Sequence, residues 1–146
     1  FPDVRLKKFL EMRGADNGPL PHIVALPAFW VGLLYDDGAL ADAEALTAGW
    51  TFADVVALRD TVPTRGLAAT IADHSAFDIA RETVAISRKG LKARGIRNEA
   101  GDDESLFLAP LDAILDRKST LAEDMLASFN GAWNGSVEPV FDAYQY

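Results

Sequence analysis

The chain has 146 residues, 49% hydrophobic and 25% charged, and is therefore long and apolar enough to build a core for one domain. Fourteen basic against 22 acidic residues give a net charge of −8, which argues against nucleic-acid partners and against docking on an anionic membrane. The absence of cysteine excludes disulfides, thiolate metal sites and cysteine nucleophiles, and is compatible with the cytoplasmic location that we predict.

The longest apolar run, residues 23–35, also disfavours a membrane span. It covers about 13 residues, is interrupted by Pro27 and Gly32, and falls short of the ~20 residues that a transmembrane helix needs. The sequence opens on Phe1 without an initiator methionine and passes almost at once into a strand pattern. We expect the chain to be a piece of a longer polypeptide.

Residues 4–13 alternate in polarity, which predicts a β-strand with one apolar and one charged face. The apolar face, interrupted by Lys8, carries Val4, Leu6, Leu10 and Met12. The opposite face carries Arg5, Lys7, Phe9, Glu11 and Arg13. A lone strand is unstable in water, so this one is expected to pair with something outside the chain. Glycine, Asp, Asn and Pro then predict a loop over residues 14–20.

Helical patterns fill the rest of the chain, residues 21–146. The predicted helices are 21–35, with a kink or restart at Pro27, then 39–48, about 51–63, about 75–94, 106–117 and 120–130, with a short seventh helix at 137–144. Capping boxes are predicted at Thr51 with Asp54 and at Thr120 with Glu123, and a helix cap at Ser75. The fold class is therefore mainly α: one N-terminal strand followed by about six or seven helices.

The common nucleotide-binding and hydrolase motifs are missing from the sequence. It has no G-x-x-x-x-G-K-[ST], G-x-G-x-x-G, G-x-S-x-G or H-E-x-x-H pattern. The two histidines, His22 and His74, are far apart and lack metal-ligand spacing, so each is interpreted as a capping or surface residue.

The charged face of the first strand is the strongest candidate for chemistry. Glu11 and Arg13 lie two residues apart on one face, with Arg5 and Lys7 in the same row. A carboxylate oxygen suits Mg²⁺, and a guanidinium suits a carboxylate or phosphoryl group. A Glu-x-Arg strand could thus hold a metal-bound phosphoryl group. The alternative is an ordinary solvated strand face.

The two opening blocks add a family resemblance. Residues 1–16, FPDVRLKKFLEMRGAD, resemble the segment FPEVRLKRYLEMRGAD of the plant and proteobacterial type of glutamate–cysteine ligase. Residues 25–36, ALPAFWVGLLYD, are similar to a block of the same enzymes, and later pieces at 58–67 and 129–141 agree. The resemblance covers essentially the whole chain, as the C-terminal third of such a ligase.

The resemblance implies a fold, a reaction and residue roles. The chain would be the C-terminal segment of a glutamine-synthetase-like α+β catalytic domain: active-site strand 1–13, loop 14–20 and helical region 21–146. The enzyme would use ATP and Mg²⁺ to join the glutamate γ-carboxylate to the cysteine amine through a γ-glutamyl phosphate, the first step of glutathione biosynthesis. Carried over, Glu11 is a Mg²⁺ ligand and Arg13 the catalytic clamp on the γ-phosphoryl group. Lys7 would approach the nucleotide phosphates.

The implied partners are glutamate, cysteine, ATP and the rest of the same polypeptide, which would supply the other metal and nucleotide ligands. The chain alone is therefore expected to be inactive. Two alternatives stay open: a related carboxylate–amine ligase with another acceptor amine, and a non-catalytic helical interaction module.

Overall fold

A computed structural model describes residues 3–16 and 18–144, so Phe1, Pro2, Asn17 and residues 145–146 of the predicted segments lie outside it. The described part is mainly α, as predicted. Its helices are α1 (Leu20–Leu34), α2 (Asp37–Thr47), α3 (Phe52–Arg65), α4 (Ala76–Arg94), α5 (Ala109–Arg117), α6 (Leu121–Asn130) and α7 (Pro139–Ala143). Its strands are β1 (Val4–Leu6), β2 (Leu10–Met12), β3 (Thr70–Ile71) and β4 (His74–Ser75), and 3-10 helices cover Gly66–Ala68 and Glu104–Leu108.

The N-terminal segment is a hairpin, and the prediction of one continuous strand is wrong. β1 and β2 pair antiparallel, with Leu6 opposite Leu10. Residues 7–9 form the connection, in which the Lys7 N–H donates to the Phe9 carbonyl at 2.9 Å. The first strand therefore finds a partner within the chain.

The core lies where α1 crosses α4. At this crossing the Ser87 hydroxyl donates to the carbonyl of Phe29 at 2.9 Å, and Gly90 lies directly against the backbone of Gly32. The buried residues on the two sides of the crossing are Leu33, Ala39 and Ile86, and Val84, Leu91 and Leu108. Helix α1 continues through Pro27 as one helix. Of the two predicted outcomes at Pro27, a kink or a restart, the restart does not occur.

The helix starts follow the local sequence signals. The capping boxes of Thr51 with Asp54 and of Thr120 with Glu123 are confirmed, and Ser75 caps α4 by accepting from the Asp78 N–H. Each cap satisfies a backbone donor that the first helical turn leaves unpaired.

Replacing Thr120 with alanine is expected to loosen the first turn of α6. The Thr120 hydroxyl accepts from the Glu123 N–H at 3.3 Å, and loss of such a cap costs about 1 kcal/mol. We expect amide hydrogen exchange in that turn to become about fivefold faster. In the control Thr47→Ala, the lost hydroxyl only bonds carbonyls of its own helix. Equal rates of amide exchange in the first turn of α6 in the two variants would contradict the capping role of Thr120.

Within the described ranges, no single helix is long and apolar enough to cross a membrane. Helices α1 and α2 meet the length and hydropathy requirement only as a pair, and their axes are bent by 91° at the break between them.

Candidate anion-binding site on the N-terminal hairpin

The hairpin register brings Arg5 directly opposite Glu11. Side chains of directly opposed residues in an antiparallel pair share one face of the sheet. The charged face is therefore built from two facing strands, whereas the sequence predicted a single row. Arg5 becomes a cross-strand neighbour of Glu11, a contact that sequence reasoning missed.

A short ion pair holds the Glu11 carboxylate. Nε and Nη2 of Arg5 each lie 2.6 Å from Oε2 of Glu11. Lys7 contributes a longer contact, with Nζ 3.4 Å from the other oxygen, Oε1. The Glu11 side chain is 28% exposed, and those of Arg5 and Lys7 are each 42% exposed. The cluster is therefore a surface feature that a ligand can reach.

The surrounding cations keep Glu11 ionised. The hydrogen bond from Arg5 lowers the pKa of the Glu11 carboxyl, partial desolvation opposes the shift, and Lys7 and the charge of Arg13 lower this pKa further. The same hydrogen bond raises the pKa of Arg5. Because the Glu11 pKa is lowered on folding, the pairing is present at neutral pH and is lost as the pH falls through the folded-state pKa.

Arg13 follows β2 and is tied to the start of the hairpin. Its backbone N–H donates to the Asp3 carbonyl at 2.8 Å. The Asp3 carboxylate in turn lies 3.8 Å from Nε of Arg59 on α3, so the hairpin is linked to the helical region. Arg13 acts on Glu11 through its charge.

The face around Glu11 has an excess of positive charge. Arg5, Lys7 and Arg13 bring three positive charges to this end of the hairpin, against the two negative charges of Glu11 and Asp3, although the whole chain has a net charge of −8. Guanidinium and ammonium groups in this arrangement suit a phosphoryl or carboxylate group. Of the predicted site residues, Lys7 and Glu11 are in contact, and the charge of Arg13 acts on Glu11.

The donor set fits a divalent cation only in part. Among residues 3–16 and 18–144, no group of three or more acidic or histidine side chains could hold a metal ion. Magnesium in such sites is bound through one or two carboxylates together with substrate phosphates and water. Glu11 therefore fits as one ligand of a shared site, because within the described part of the chain its Oε1 has only the longer contact with Lys7.

The two histidines lie in different elements, His22 in the first turn of α1 and His74 in β4. Both ring nitrogens of His22 are buried without a hydrogen-bond partner among the described residues, so this half-buried residue is not the predicted cap. It lines a cavity of about 590 Å³ together with residues of α3 and α6.

Fold and site together define a class of protein segment: a helical body that carries an exposed hairpin with a cationic, carboxylate-containing face. The sequence model of the glutamate-cysteine ligase family 2 (GCS2) matches residues 1–143. The chain belongs to this family, which confirms the resemblance.

Curated plant relatives match the full length of the chain. It is 45% identical to glutamate–cysteine ligase, chloroplastic, of Arabidopsis thaliana over 146 residues, which is 27% of that protein. It is 43% identical to glutamate–cysteine ligase A, chloroplastic, of Oryza sativa subsp. indica, covering 28% of it. The chain thus spans just over a quarter of the length of these relatives. Their names place them in the chloroplast, unlike the cytoplasmic location predicted here.

Proposed function

We propose that the chain is the C-terminal part of an ATP-dependent ligase that joins the γ-carboxylate of glutamate to the amine of cysteine through a γ-glutamyl phosphate. This would be the first step of glutathione biosynthesis. One observation carries the proposal: the family match spans residues 1–143 and includes the Glu-x-Arg segment, which folds into an exposed cationic hairpin face. The cytoplasmic location stays a prediction.

Arg13 is the proposed clamp on the transferred phosphoryl group. Its guanidinium can donate two parallel hydrogen bonds to phosphoryl oxygens and so stabilise the charge that develops during transfer. The hydrogen bond from the Arg13 backbone N–H to the Asp3 carbonyl fixes the backbone position from which this side chain extends. Lys7 is proposed to approach the nucleotide phosphates, since its 3.4 Å contact with Glu11 is long and its stem is flexible.

Glu11 is the proposed Mg²⁺ ligand of this chain, one carboxylate beside others supplied from outside it. When bound, Mg²⁺ would neutralise and position phosphoryl oxygens. The ionised state that Arg5 maintains at Glu11 is the form that a cation requires.

The opposite face of the hairpin is apolar and uncovered. Val4 and Leu10 are exposed, and Leu6 is 80% exposed. A two-stranded hairpin is marginal in water by itself and gains stability from further strands or packing. We propose that the rest of the same polypeptide covers this face and completes the site. The chain alone would then lack most of the ligands that catalysis needs.

An ADP-release assay tests the proposal. The complete protein is expected to release ADP when given ATP, Mg²⁺, glutamate and cysteine, while the purified 146-residue chain releases none. Robust turnover by the chain alone would contradict the shared site. Preference for another amine over cysteine would favour a related carboxylate–amine ligase. No ADP release by the complete protein with any amine would favour the helical interaction module.

A further inference from the structure

The contact between Arg5 and Glu11 is one-sided. Two nitrogens of the guanidinium, Nε and Nη2, converge on a single carboxylate oxygen, Oε2, each at 2.6 Å. Among residues 3–16 and 18–144, the other oxygen, Oε1, receives only the 3.4 Å contact from Lys7. The carboxylate is therefore held by one oxygen and offers the other.

We propose that Arg5 is a positioning residue: by holding Oε2 it fixes the orientation of the Glu11 carboxylate and presents Oε1 to a divalent cation. The proposal deepens the function proposed above and rests on the role of Glu11 as a metal ligand. Arg5 itself touches neither metal nor substrate in this arrangement.

The hairpin gives Arg5 a fixed place from which to act. Arg5 lies in β1, directly opposite Glu11 in β2, so the distance between their backbones is set by the strand pairing. The rigid planar fork of arginine adds a fixed direction to the pair, which the single ammonium of a lysine does not. Outer groups that orient metal ligands in this way typically contribute 10–100-fold to metal affinity.

Lys7 is not equivalent to Arg5. It lies in the connection between the two strands, outside the ladder, and its Nζ is also 5.8 Å from the centre of the Phe9 ring. Its weaker contact with Oε1 can give way to a cation without disturbing the Arg5 pair. Removal of Arg5 would instead free the carboxylate to turn both oxygens toward Lys7.

The test is a titration of the complete protein with Mn²⁺ in the absence of turnover. Electron paramagnetic resonance of the free Mn²⁺ measures how much is bound. Arg5→Met is expected to weaken binding at one site by about tenfold or more. Arg5→Lys, which keeps the charge across the hairpin, should recover only part of the loss. The matched control Arg81→Met removes an exposed arginine that pairs with Asp78 in α4, and should leave Mn²⁺ binding unchanged.

Two further results separate the possible failures. If Glu11→Gln weakens Mn²⁺ binding and Arg5→Met does not, the positioning role is overturned while the metal role of Glu11 stands. If Glu11→Gln itself leaves Mn²⁺ binding unchanged, the proposed metal role fails and the inference falls with it. Amide exchange across β1 and β2 identifies a variant whose hairpin has opened. If the hairpin has opened in Arg5→Met, the Arg5→Lys variant provides the test instead. Mn²⁺ binding to Arg5→Lys as tight as to the unmodified protein would overturn the proposal.

Discussion

Replacing Arg13 with alanine in the complete protein is expected to lower kcat for ADP release by about 10³-fold or more. Arginines that stabilise a transferring phosphoryl group are worth 10³–10⁵ in rate, and 10³ corresponds to about 4 kcal/mol of transition-state stabilisation. The loss should appear mainly in kcat if the guanidinium binds more strongly to the transition state than to the bound substrates. Steady-state ADP release at saturating glutamate, cysteine and ATP measures it.

Two further variants define what the Arg13 result means. Arg13→Lys keeps the charge but loses the planar fork, so it should recover part of the rate. Arg81→Ala removes an exposed arginine from α4 and should leave kcat unchanged. Full activity in Arg13→Ala would make the hairpin face structural and would favour the helical interaction module.

The helical part of the fold was predictable because its signals are local. The caps at Thr51, Ser75 and Thr120 each bond to a backbone N–H three residues ahead, so sequence spacing alone specifies them. The glycine that ends α4, Gly95, adopts the left-handed conformation that a helix C-terminus favours, with φ of 67°.

The hairpin was not predictable from alternation. With three residues between β1 and β2, paired positions have the same parity: Val4 faces Met12 and Leu6 faces Leu10. The alternation of apolar and polar residues therefore continues unchanged across the turn. One long strand and a hairpin give the same pattern. The sequence hinted at the turn through Lys8, a charged residue at a position where the alternation predicts an apolar one. The pairing of Arg5 with Glu11 depends on that turn and was missed with it.

The close approach of α1 and α4 also could not be predicted from the sequence. Gly32 was interpreted only as an interruption of an apolar run, and Gly90 was simply included in the predicted helix 75–94. Their role depends on a contact between two helices that are distant in the sequence, which no local pattern encodes. The same crossing brings the Ser87 hydroxyl to the carbonyl of Phe29.

Replacing Gly90 with alanine is expected to destabilise the crossing of α1 and α4 by about 3 kcal/mol. A Cβ at this position would overlap the carbonyl oxygen of Gly32 and press on the side chain of buried Ala39. The carbonyl belongs to the backbone of α1 and cannot rotate away, so the helices must separate. This cost exceeds the ~1 kcal/mol that alanine gains over glycine in a helix.

Amide hydrogen exchange of α1 and α4 in the complete protein measures the effect, with Gly49→Ala as the matched control. A Cβ at Gly49 would meet no atom within 4 Å, so that variant should stay within about 0.5 kcal/mol of the unmodified protein. Both replacements add the same methyl group, and they differ in what it meets. Equal protection in the two variants would show that the helices tolerate a wider separation. The core would then be held by the apolar clusters on either side of the crossing, without any need for close backbone contact.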